Sequence, residues 1–207
     1  MKKFITIVSA VLLSAFTVGA QESGFSKFLS HIWFPTEFGY SFPIKKGINP
    51  GLVTKLALEW RQHDQNGLFV NAYLDTRYLT YNDIVPVGSN LTDGDMVYDD
   101  FLFGVGYRFK ISDSFCLAAS LHGGLSNGEY HTINPSVTYP GKFSHESIFV
   151  NLPVSKATAF FEYYIDPKFC IFLTGAYTQQ LSRSPLADNF GEDGSFAVSL
   201  GFNAALF

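Results

Sequence analysis

Hydrophobic and polar positions alternate with a period of two in eight separate stretches of this chain, the pattern of pleated strands with two unlike faces. The first predicted strand, Trp33 to Phe42, sets Phe34, Phe38, Tyr40 and Phe42 against Glu37, Gly39 and Ser41. In the second, Leu52 to Arg61, Leu52, Leu56, Leu58 and Trp60 point one way and Lys55, Glu59 and Arg61 the other. The third, Leu68 to Thr80, opposes Leu68, Val70, Ala72 and Leu74 to Asn71, Tyr73, Asp75 and Arg77. The fourth, Asp100 to Lys110, is the clearest, with Phe101, Phe103, Val105, Tyr107 and Phe109 against Gly104, Gly106, Arg108 and Lys110. The fifth, Phe115 to Ser126, turns Leu117, Leu121 and Leu125 away from Cys116, Ser120, His122 and Gly124. Val154 to Tyr164, Phe169 to Thr178 and Ser195 to Phe207 complete the set, with Lys156 and Glu162 on the polar face of the sixth.

The connections alternate too. Short turns, residues 63–67, 112–114 and 165–168, join strands two to three, four to five and six to seven, and Asn66-Gly67 is a strong hairpin signal. Longer gaps separate the others: Pro43 to Gly51, Tyr81 to Asp99, Asn127 to Pro153 and Gln179 to Gly194. Segments of about 10 residues with short turns on one rim and long loops on the other are the signature of a transmembrane β-barrel.

Composition sharpens this. The chain has 22 Phe and 11 Tyr but only 15% charged residues, too few for the usual water-facing surface. Past residue 20 no apolar run approaches the ~20 residues a membrane-crossing helix needs, so a closed barrel is the remaining way to satisfy every backbone polar group in hydrocarbon. Lys2 and Lys3, the apolar run Phe4 to Phe16 and the small residues Val18-Gly19-Ala20 read as a cleaved signal peptide over residues 1–20. The expected barrel then occupies residues 21–207. The mature chain keeps all 18 acidic and loses two of 14 basic residues, a formal charge of −6 that argues against nucleic acid as a partner.

A last strand that ends on Phe207 resembles the terminal signal of outer-membrane barrels, and the whole pattern resembles the OmpA/OmpX-type eight-stranded proteins. The resemblance implies an all-β antiparallel barrel in a bacterial outer membrane. Its neighbours would be lipid and lipopolysaccharide, with the barrel-assembly machinery reading Phe207 during folding and an envelope protein as a further partner. One departure is that Ser199, Gly201 and Asn203 share the parity of Phe207, which predicts a bulge near Asn203 to Ala205.

A barrel of this size is filled by its own side chains, so the lumen set must pair internally. The predicted network is Glu37, Lys55, Glu59, Asp75, Arg77, Arg108 and Glu162, with Arg61, Lys110, His122 and Lys156 facing the same way and Arg108 bridging Glu59 and Glu162. Such a set reads first as a polar plug, which makes the protein a non-enzymatic element of envelope integrity or surface contact through its long loops. The alternative is a narrow ion or small-solute channel gated by the same charges.

A lipid A acyl hydrolase or transferase is the third reading. The stretch from His122 to His131 contains Ser126 and Glu129, but His122 and Ser126 share the lumen face while Leu125 holds the lipid side. No residue is therefore assigned a catalytic role. Acidic residues Asp83, Asp93, Asp95, Asp99, Asp100, Asp188, Glu192 and Asp193 crowd the predicted external loops. Thr92-Asp93-Gly94-Asp95 lacks the spacing and terminal Glu of a calcium loop, and the five histidines have no zinc spacing, so no metal or cofactor is expected. Cys116 and Cys170 sit two strands apart, about 10 Å between Cα atoms and beyond disulfide reach. Loop three, with Tyr130, Ile133, Val137, Tyr139 and Phe143, and loop four are the expected contact surface.

Overall fold

The computed structural model describes residues 28–85, 89–135, 143–181 and 194–206. They form eight strands: β1 (Ile32–Pro43), β2 (Ile48–Arg61), β3 (Gly67–Tyr81), β4 (Gly94–Lys110), β5 (Phe115–Pro135), β6 (Phe143–Asp166), β7 (Phe169–Gln180) and β8 (Gly194–Ala205). Each strand pairs antiparallel with the next, and β8 closes on β1 from Trp33↔Ala205 to Pro43↔Ser195, so the sheet is a closed barrel without a free edge around its girth. At the foot of the β2–β3 turn Gly67 takes a φ of 119°, a backbone state that favours glycine.

The two faces meet different surroundings. Phe38, Leu56, Phe103, Leu121, Leu173 and Leu200 all stand exposed on the outside, where water would leave a large apolar surface unsatisfied. Rings gather at both rims of this belt. Phe115 stacks on Phe161 at 5.5 Å near the short-turn rim, and Tyr177 meets Phe196 at 5.0 Å near the other. An apolar band flanked by aromatic girdles is the outer surface of a barrel solvated by lipid. Leu121, midway along the belt and 69% exposed, gives a direct check. Leu121→Arg is expected to cost about 2–4 kcal/mol in unfolding titrations from lipid vesicles. Leu121→Ala should cost far less.

Seven of the strands are longer than the alternation predicts, and β2, β4, β5 and β6 by four residues or more. The first external connection is only residues 44–47, because β2 starts at Ile48; Pro50 and Gly51 break the periodicity at a register shift between Asn49 and Leu52. There Gly51 passes so close that an added Cβ would fall 1.8 Å from the Tyr78 carbonyl oxygen, which requires glycine. β4 begins at Gly94, within the predicted second loop. The predicted third loop is mostly strand: β5 continues to Pro135, and β6 starts at Phe143 and runs for 24 residues against 12 in β7.

The expected bulge near Asn203 is not formed. Pairing of β8 with both neighbours runs unbroken through that residue, whose inward amide lies 3.5 Å from Glu59 Oε1. Residues 1–27 and Phe207, which carry the predicted export signal and assembly signal, lie outside the described residues.

Candidate functional site

Strand parity puts one side chain in two into the lumen, and among the described residues ten of those are charged. Glu37, Glu59, Asp75, Asp100 and Glu162 supply five carboxylates, and Lys55, Arg61, Arg77, Arg108 and Lys156 five cations; all are buried. Their formal charges cancel. Each has an opposite charge within ion-pair distance, as burial of charge requires.

The lower network lies near the short turns. Arg108 sits between the two carboxylates, its Nη2 donating to Glu59 Oε1 at 2.9 Å and its Nε to Glu162 Oε1 and Oε2 at 3.1 and 3.0 Å. Arg61 Nε donates to the same Glu59 oxygen at 2.7 Å, and its Nη1 to the Tyr164 hydroxyl at 2.7 Å. Both guanidinium groups lie on rings, Arg61 over Trp33 at 3.7 Å and Arg108 over Phe69 at 4.1 Å.

The turn after β2 folds in beneath them. Asp64's carbonyl accepts from Arg61 Nη1 at 3.0 Å, the Gln65 carbonyl accepts the Cys116 thiol at 3.3 Å, and Gln65's amide donates to the Asp113 carbonyl at 2.9 Å. That floor is sealed by Trp33, Phe69, Phe160, Phe172, Cys116 and Cys170. Both cysteines are buried and free.

Above this, Lys55 pairs with Glu37 and Lys156 with Asp75, and Tyr73 lies between the two lysines, its ring 4.4 Å from Lys55 Nζ and 5.5 Å from Lys156 Nζ. His122 joins the polar wall: Nε2 meets Asn71 Oδ1 at 2.9 Å and Nδ1 meets Thr158 Oγ1 at 3.3 Å. Higher still, Arg77 donates to Asp100 at 3.2 Å and to Ser195 at 3.0 Å. Ile48, Leu79, Tyr81, Met96, Tyr98 and Tyr130 then close the top as a roof. Between floor and roof, a cavity lined by Lys55, Glu59, Asn71, Arg108 and Asn203 has room for about one water molecule.

Two placements correct the sequence reading. Lys110 is not in the lumen: as the last residue of β4 it lies below the sealed floor, half exposed, and pairs with Asp113 at 2.7 Å. There its ammonium holds the Asp113 carboxyl below the usual carboxylate range. Asp100 is not a loop residue but Arg77's buried partner, and only its parity with Leu102 and Gly104 along the strand hints at this. Its neighbour Asp99 faces outward and accepts from the Thr76 hydroxyl at 2.7 Å.

The residues that suggested lipid hydrolysis do not assemble. His122 and Ser126 are buried in the lumen, while His131 lies on the opposite face of the straight β5 strand, its Nδ1 3.3 Å from Ser147 Oγ. Asp93 ties its own loop, accepting the Asp83 amide at 3.2 Å and the Thr92 hydroxyl at 3.3 Å. Among the described residues no group of three or more His, Cys, Asp or Glu side chains is placed to hold a metal. Asp188, Glu192, Asp193, Val137 and Tyr139 lie outside the described residues.

Outside the lumen the prominent feature is the β5–β6 hairpin, paired from Phe115↔Tyr163 to Pro135↔Phe143. Its inner face contributes Tyr130, Ile148 and Val150 to the roof, so Tyr130 is core rather than contact surface; Phe143 and Phe149 stand exposed. The hairpin outgrows β4, whose pairing with β5 stops at Met96↔Tyr130. Beyond that point the β3–β4 loop takes over. Ser89 Oγ donates to the His131 carbonyl at 2.9 Å, while the Asn90 side chain accepts from Ile133 N at 3.1 Å and donates back to the Ile133 carbonyl. An amide side chain thus pairs with the backbone as a strand would.

Neither a family model nor a curated protein matches the chain. Among solved structures, Neisserial surface protein A aligns with a TM-score of 0.56 at 11% identity, over 86% of this chain and 98% of its own. Ail of Yersinia pestis aligns at 0.45 and 14% identity over 84% and 97% of the two chains. The outer membrane enzyme PagL aligns at 0.40 and 14% over 84% and 99%. At such identities the likeness is one of fold alone. The chain has the fold of the small eight-stranded outer-membrane β-barrels, the OmpA/OmpX-type architecture.

Proposed function

We propose that this outer-membrane barrel is a non-enzymatic contact protein, whose lumen is a structural plug and whose working surface is the β5–β6 hairpin. The observation that carries this is the asymmetry of the strands. β6 continues eleven residues beyond Val154, where β7 has all but ended, roughly 35 Å of further strand at ~3.3 Å per residue. Nothing in the ionic lumen needs such a projection. The plug supports the same reading, because five carboxylates and five cations under a hydrophobic roof and over a hydrophobic floor hold one another in place. The belt contacts lipid and lipopolysaccharide, and residues 1–20 serve export.

In-cell photo-crosslinking tests the reading. A photoreactive residue at Phe143 or Phe149 is expected to capture another protein, and one at Leu121 only lipid. A trimmed chain, in which a two-residue Asn-Gly turn joins Tyr130 directly to Ile148, its hydrogen-bonded cross-strand neighbour, should still fold but lose the capture. The proposal fails if the trimmed chain matches the full one in capture and in protecting cells from detergent.

A further inference from the structure

The contact reading leaves open what the hairpin contacts, and the outward face of its lower half sets one exposed ring among polar neighbours. We propose that Phe149 and the polar side chains around it form a recognition site for a neutral saccharide carried by the partner protein. This rests on the contact reading and names the chemistry of its partner.

Register fixes the neighbours. Odd-numbered residues of β5 and β6 share the outer face, and above the lipid belt their cross-strand pairs run Leu125↔Pro153, Asn127↔Asn151, Glu129↔Phe149 and His131↔Ser147. Phe149 stands four residues beyond Pro153, about 10 Å higher at the usual strand rise and tilt, so its exposed ring is clear of the apolar belt. Its same-face neighbours are Glu129 across the ladder, Ser147 and Asn151 along β6, and Asn127 and His131 on the diagonals. All five are hydrogen-bonding groups. Among the described residues the side chains of Asn127, Glu129 and Asn151 have no partner within the protein. Within the belt the surroundings of an exposed ring are the opposite: Phe103 has Ala72, Phe101, Val105 and Gly123 beside it, as lipid requires.

An aromatic face bordered by amides and a carboxylate suits a ligand that is apolar on one side and hydroxylated at its rim. A pyranose is built that way. Its C–H face lies against the electron-rich face of an aromatic ring, while its hydroxyls reach Asn127 and Asn151, which both donate and accept, and Glu129, which accepts. A purely apolar partner surface would leave those groups unpaired. Charge narrows the class further. Glu129 gives this face a negative formal charge, and Asp99 follows beside Asn127 on β4. Sugars that bear phosphate or sulfate, those of lipopolysaccharide included, are repelled here, and neutral ones are not.

Fluorescence anisotropy with the full barrel in phosphocholine micelles tests this, using labelled oligosaccharides of glucose, galactose and mannose and a heparin fragment as the sulfated comparator. At least one neutral chain is expected to bind, and more tightly than the heparin fragment. Phe149→Ala should weaken that binding about tenfold or more, Asn151→Ala should weaken it too, and Phe149→Trp should preserve it. All three variants should keep heat-modifiable mobility on gels, because both positions face outward. Absent binding of every neutral chain, binding that Phe149→Ala leaves unchanged, or tighter binding of the heparin fragment overturns the site. In cells, the protein captured from a photoreactive residue at Phe143 should carry a glycan that stains after periodate oxidation, and the free saccharide should reduce its capture. If capture at Phe143 brings down an unglycosylated protein, or is indifferent both to the saccharide and to Phe149→Ala, saccharide recognition falls while the contact reading stands.

Discussion

Arg108→Ala is expected to lower the unfolding free energy of the barrel by about 3–5 kcal/mol, the cost of leaving buried charge without its partner. Arg108 touches both Glu59 and Glu162, so one truncation strips a shared cation from two carboxylates at once. Arg61 still reaches Glu59 at 2.7 Å, but its nearest approach to Glu162 is 3.9 Å, so Glu162 loses most. A chain carrying Arg108→Met together with Glu162→Gln should recover much of the deficit, because the charges leave together. Urea titration in lipid vesicles, followed by tryptophan fluorescence, to which Trp33 beneath Arg61 contributes, reads both. A loss below about 1 kcal/mol for Arg108→Ala would mean that water enters the lumen freely and screens the carboxylates.

Gly124→Val is expected to abolish folding, whereas Gly123→Val leaves it intact. Valine is a favoured strand residue, so intrinsic preference alone would make both changes helpful. Space separates them. A Cβ at Gly124 would fall 1.9 Å from the Phe101 carbonyl oxygen, a backbone atom held in the β4–β5 ladder; at Gly123 it would meet nothing within 4 Å. Heat-modifiable mobility on gels decides between them: a compact band for Gly123→Val and none for Gly124→Val. A compact band for both would mean that the β4–β5 ladder can shift aside at no great cost.

These two sites show how far the sequence reaches. Within the belt, alternation is strong because lipid demands apolar side chains outside and the lumen demands polar ones inside; Phe101 to Phe109 could scarcely be read otherwise. Parity along β2, β4 and β6 likewise brings Glu59, Arg108 and Glu162 to one level before any coordinates are known. Above the membrane the outer solvent becomes water and the phase reverses. In β4 Met96 and Tyr98 turn inward while Asp95 and Asp99 turn outward; in β6 Ile148, Val150 and Leu152 turn inward while Ser147 and Asn151 turn outward. A reader following outward hydrophobicity loses the strand at that inversion. This is why the hairpin resembles a loop in sequence, and why Asp100, at the crossing point beside outward Asp99, hides its lumen role. The capping of the β5 edge by Ser89 and Asn90 was not legible, because it depends on where β4 stops.

The pairing of lumen charges also constrains the order of assembly. Glu37 and Lys55 belong to neighbouring strands, but Asp75 on β3 meets Lys156 on β6, and Glu162 on β6 meets Arg108 on β4. A single hairpin entering hydrocarbon would carry Lys156 or Glu162 with no counterion, at a cost of several kcal/mol per ion. Only a cylinder already near closure brings those partners within reach. Insertion of this chain is therefore expected to be concerted: the membrane receives strands already curved around their charges, all ten of which lie on β1 to β6.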